Sequence, residues 1–86
     1  MGSGAGAVPD LVRGAAQGAV EGASESGGDI GEAATQAVAA ALEAASDLGI
    51  SEQEAAAQAT QGVLDAAGAI GPEATARVND ALARGV

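Results

Sequence analysis

An all-α fold of three to four short helices follows from three features of the chain. The first is a frame of 22 residues. Ala15/Ala37/Ala59, Ala23/Ala45/Ala67 and Gly27/Gly49/Gly71 recur at that spacing, and Val20, Leu42 and Leu64 are each followed by an acid, Glu21, Glu43 or Asp65. The second is that the apolar residues between the glycines recur at three- and four-residue intervals, the spacing of one helix face. The third is that residues with start and stop chemistry stand at the edges of the frame. Self-similarity at a fixed period marks an array of like units. Short connections between such units predict an antiparallel bundle or a small solenoid.

The order along the chain is as follows. Residues 1–8 read as a glycine-rich tail, and 9–86 as the helical repeat domain. A first helix is expected over 9–26, opening at Pro9, whose missing N–H costs nothing in a first turn, with Asp10 complementing the helix dipole. Val12, Ala16, Ala19, Val20 and Ala23 form its stripe, and Gly27-Gly28 stop it. A second helix is expected over 29–48. Asp29 and Glu32 open it as a variant capping box; Ala34, Val38, Ala41, Leu42, Ala45 and Leu48 form its stripe, and Gly49 suits a left-handed C-cap. The third, over 51–70, starts with Ser51 and Glu54 and carries Ala56, Thr60, Val63, Leu64, Ala67 and Ile70. Gly71-Pro72 combines a stop with a start. The last helix, over 72–85, carries Val78, Ala81 and Leu82, with Glu73/Arg77 and Asp80/Arg84 at the favourable i,i+4 order.

Opposite each stripe lies a second face made of small residues. It comprises Gly14, Gly18 and Gly22 in the first helix, Ala37, Ala40 and Ala44 in the second, and Ala59, Gly62 and Ala66 in the third. An ordinary surface helix places charged and polar residues there. Small residues at four-residue spacing instead let helix backbones approach closely. Alanine is the best helix former, but an interior glycine costs about 1 kcal/mol relative to it. Propensity therefore does not account for Gly14, Gly18, Gly22 and Gly62. These nine residues are the expected self-association face, covered by neighbouring copies.

Composition points the same way. Alanine (25) and glycine (14) make up 39 of 86 residues, and only fifteen are branched aliphatics. Small domains with thin cores commonly add disulfides or metals, but the chain has no Cys and no His. Self-association is the staple that remains. A formal net charge of −9 argues against nucleic acid, which is bound by neutralising phosphates with Lys and Arg. It also disfavours an anionic lipid surface. No secretion signal is visible, and the uncharged runs Ala33–Leu42 and Ala55–Leu64 are far short of the roughly 18 residues that cross a bilayer.

Catalysis at neutral pH draws mainly on His, Lys, Tyr and Cys, none of which is present. Ser51 as a nucleophile would have only carboxylates as a base, whereas as an N-cap it needs nothing more. Zinc wants Cys or His; the acids at Asp29/Glu32 and Glu52/Glu54 are too sparse for a calcium loop. The expectation is a non-enzymatic structural protein without a cofactor, whose partner is itself, in a homo-oligomer or filament. A hydrophobic-interface or lipid-surface role is the second reading, favoured by the glycine-spaced helix and opposed by the charge.

Overall fold

A computed structural model describes residues 3–85, with side chains over 8–84. The chain is all-helical: α1 (Ser3–Ser26), α2 (Ile30–Leu48), α3 (Glu52–Ile70) and α4 (Pro72–Gly85), with no strand among the described residues.

Local chemistry sets the boundaries. Gly27 turns left-handed at φ 77°. Gly28 N–H then donates to the Ala23 carbonyl (2.7 Å) and Gly27 N–H to that of Ser24 (3.3 Å). Gly49 repeats the device at φ 76°, with Ile50 N–H on Ala45 (3.1 Å) and Gly49 N–H on Ser46 (3.2 Å). Both are Schellman stops, in which the left-handed residue lets two N–H groups cap the last carbonyls. The frame's alanine thus supplies the carbonyl that each of these two stops caps, and the glycine four residues on supplies the left-handed turn. At the third repeat Pro72 has no N–H to give, so Gly71 alone caps, bonding Ala67 at 2.9 Å. The starts are equally local. The Asp29 carboxylate accepts from Glu32 N–H at 3.1 Å, and the Ser51 hydroxyl oxygen from Glu54 N–H at 3.0 Å.

One boundary differs from the sequence expectation. α1 begins at Ser3 rather than Pro9, so Pro9 lies inside the helix and most of the expected 1–8 tail is helical. Met1, Gly2 and Val86 lie outside the described residues. Proline marks a helix start only where no carbonyl one turn upstream needs its N–H. Here the helix continues past it and leaves the Ala5 carbonyl without that donor.

The helices pack in a bundle-like cluster with a regular pattern of neighbours. Each touches the next and the next but one: α1 lies on α2 and α3, and α4 on α3 and α2. Among the described residues α1 and α4 do not meet. α2 and α3 are therefore the inner helices and α1 and α4 the outer ones. The radius of gyration, 12.4 Å, is close to the roughly 12 Å of a compact chain of this length.

The four largest wholly buried side chains are Val20, Val38, Val63 and Val78, one from each helix. Buried alanines surround them, and among the described residues no polar or charged side chain is buried. A core this thin needs backbones close together, and two glycines provide that. A Cβ at Gly62 would fall on the Arg13 carbonyl oxygen and 3.2 Å from Ala16 Cβ, where α3 crosses α1. A Cβ at Gly31 would meet Ala81 Cβ at 3.2 Å, where α2 crosses α4.

The expected stripes hold in their centres and fail at their ends. Val12, Ala16, Val20, Ala34, Val38, Ala41, Ala45, Val63 and Ala67 are buried, as is Val78 in α4. Ala19, Leu48 and Ile70 are exposed, because each lies at the rim of its stripe or in the last turn of its helix, beyond the crossing. In α4 Arg84 pairs with Asp80. The expected Glu73–Arg77 pair is not among the ion pairs of the described residues, as exposed pairs contribute little to holding a geometry.

Candidate functional site

The small-residue faces have opposite fates. On α3, Ala59 and Ala66 are fully buried and Gly62 is buried with them. This corrects the expectation that neighbouring copies cover them. α3 is an inner helix, and its small face, with Ala55, is the surface on which α1 rests. The close approach foreseen for a partner chain occurs here within the chain.

On α1, Gly14, Gly18 and Gly22 are exposed, and a Cβ built on any of them would meet nothing within 4 Å. Beside this line stand Leu11, Ala15 and Ala19, all exposed. Successive residues turn by 100°, so Leu11, Gly14 and Gly18, spaced three and four apart, share one side of α1. Val12, Ala16 and Val20 face the core from the other.

On α2, Ala37 and Ala44 are half-buried and Ala40 is exposed. They face Leu11, Ala15 and Ala19 across a groove of about 400 Å³ between α1 and α2 that Leu48 also lines. Every residue lining it is alanine, valine or leucine. Leu11 is 67% exposed and Leu48 38%. Six of the nine residues singled out in the sequence thus lie on or beside one outward surface; the other three lie in the core.

Sequence reasoning missed both leucines. The helical spacing places Leu48 in the core stripe and says nothing of Leu11. Its position three and seven residues ahead of Gly14 and Gly18 is the signal that could have placed it on their face.

The remaining depressions are of a different character. One of about 430 Å³ lies between the start of α2 and the α3–α4 junction and includes Glu73 and Arg77. Another, of about 360 Å³, lies between α2 and α4 and includes Asp29, Glu32, Asp80, Arg77 and Arg84. Both are charged, and only the α1–α2 groove is wholly aliphatic among these three. All twelve acids are exposed. Among the described residues no three of His, Cys, Asp and Glu are grouped as a metal would need, and no helix is long and apolar enough to cross a membrane.

No family model matches the chain, and comparison with curated proteins and with solved structures gives no match.

Proposed function

We propose that this is a non-enzymatic structural protein that associates with itself through the α1–α2 face. The observation that carries this reading is the wholly aliphatic groove with Leu11 two-thirds exposed at its edge. A partner covering the groove would meet no polar side chain that must be desolvated. The glycine line beside it adds a surface to which a second helix can come within backbone contact. Exposed Glu21 and Glu25 stand at the margin of the glycine line, three and seven residues beyond Gly18, so salt that screens them should favour association.

The test is the mass of the purified protein in solution across a dilution series, with electron microscopy of the concentrated sample. Gly18→Leu and Leu11→Ser should shift the mass toward monomer, while Glu25→Gln should leave it unchanged. A monomer at every concentration would end this reading, and equal effects from Gly18→Leu and Glu25→Gln would remove the face from it.

The same groove favours a second reading, an apolar ligand or lipid interface, because it offers hydrocarbon contact without a polar group. Flotation with neutral-lipid vesicles tests it; protein left at the bottom of the gradient dismisses it.

A further inference from the structure

Both outer helices lean on the same inner pair, yet their sequences prepare them differently for standing alone. α4 opens with Pro72 and Glu73, has Arg84 in its last turn and holds no glycine before Gly85. Its charges complement the helix dipole at both ends. α1 has no acid in its first turn and no base in its last, where Glu25 meets the negative end of the dipole. Pro9 lies inside it and leaves one carbonyl without its donor. Gly14, Gly18 and Gly22 interrupt its middle, each lowering the helix-forming equilibrium about fivefold relative to alanine. The exposed ion pairs Asp10–Arg13 and Asp80–Arg84 contribute little on either side.

Packing within the chain does not ask for those three glycines. A Cβ on any of them would meet nothing within 4 Å, whereas at Gly62 the missing Cβ is what admits the Arg13 carbonyl. What the three do change is the helix itself, whose unaided stability they lower roughly a hundredfold together. α1 is helical because it is seated.

The seat is shallow in side-chain terms. α1 buries Val12, Ala16 and Val20. The α3 surface beneath it is Ala55, Ala59, Gly62 and Ala66, which offer methyl groups or bare backbone. Hydrophobic stabilisation follows the apolar area removed from water, and such residues have little to give.

Without α1 a connected cluster remains. α2, α3 and α4 each touch the other two, and each supplies one wholly buried valine, Val38, Val63 or Val78. α2 keeps its own start, because the Asp29 carboxylate that accepts from Glu32 N–H lies after the connection. The connection is Gly27-Gly28, which adopts new backbone angles at little steric cost. Taking away α4 would also leave three helices in mutual contact. The helices' own stability decides between the two, and it selects α1.

We infer that α1 is a releasable strap: it leaves the α2–α3–α4 cluster and unwinds as one unit before the cluster itself comes apart, uncovering Ala55, Ala59, Gly62 and Ala66 on α3. This is a property of the single chain and stands apart from self-association.

Native-state amide hydrogen exchange, followed residue by residue on the full chain, reads each opening separately. The chain is kept dilute enough that association adds nothing. The amides of Ala16 and Val20 should exchange about tenfold faster, or more, than those of Val38, Val63 and Val78, as separate opening units do. Ser51→Ala weakens the start of α3 and should lower the protection of Val38 and Val63 about fivefold. It should leave Ala16 and Val20 unchanged, because α3 stays folded while α1 is away. The triple variant Gly14→Ala, Gly18→Ala, Gly22→Ala should raise the protection of Ala16 and Val20 roughly a hundredfold.

Equal protection in all four helices, with Ser51→Ala lowering α1 along with the rest, would overturn the strap, since α1 would then open only with the whole chain. Exchange at Val78 ahead of Ala16 and Val20 would overturn it in favour of α4. A gain below about fivefold in the triple variant, no more than one glycine is worth, would overturn it too, because α1 would not be unwinding on release.

Discussion

α3 and α1 carry the same small-residue pattern, and the fold spends it in opposite ways. On α3, Ala55, Ala59, Gly62 and Ala66 are the ground on which α1 crosses, and the absence of a Cβ at position 62 lets the Arg13 carbonyl come into contact. On α1, Gly14, Gly18 and Gly22 face open space. A stripe of small residues states that something can approach closely. Whether the approaching helix belongs to the same chain depends on where the helix sits in the cluster, and α3 is an inner helix while α1 is an outer one.

A graded series of substitutions tests that contrast, with stability followed by chemical or thermal unfolding at protein concentrations low enough that association adds nothing. The largest effect belongs to Gly62→Ala. Its methyl group has no room against the Arg13 backbone, and the overpacking should cost about 3 kcal/mol; a change within 0.5 kcal/mol, roughly the range of a neutral surface site, would break the comparison. Gly49→Ala comes next. Position 49 holds a left-handed φ of 76°, and forcing a Cβ into that conformation costs roughly 1–2 kcal/mol.

Ser51→Ala removes the oxygen that accepts from Glu54 N–H and should cost about 1 kcal/mol. It sharpens the contrast by separating loss of a helix start from loss of a crossing. The smallest effect has the opposite sign. Gly18→Ala adds a methyl group in open space on an exposed helix and should raise stability by roughly 0.5–1 kcal/mol through propensity alone. A loss at Gly18 as large as that at Gly62 would mean that both faces are packed within the chain.

The parts of this fold that were legible in the sequence are those decided within one turn of helix. Asp29, Ser51, Gly27 and Gly49 each act on neighbours three to five residues away, so their chemistry can be read off the chain directly. Val12, Val20, Val38, Val63 and Val78 were legible as core because each recurs at helical spacing with the other apolar residues of its stripe. Two things were not legible. Pro9 looks the same whether a helix begins at it or runs through it. The wheel of α3 shows two apolar sides, Val63/Ala67 and Ala55/Ala59/Gly62/Ala66, and only the arrangement of all four helices reveals that both are inward. The candidate site was half legible for the same reason: the glycines of α1 were found, but the groove needs α2 beside them.

The stop formed by an alanine and a glycine four residues apart also acts as a ruler. It ends α2 and α3 after 19 residues each, about 28 Å of helix, so the two inner helices share one length and their caps fall at matching distances along the chain. One residue inserted before Gly49 would rotate everything after it by about 100° and carry the turn away from Ala45. An insertion between Gly49 and Ser51 would leave both the stop and the following start intact.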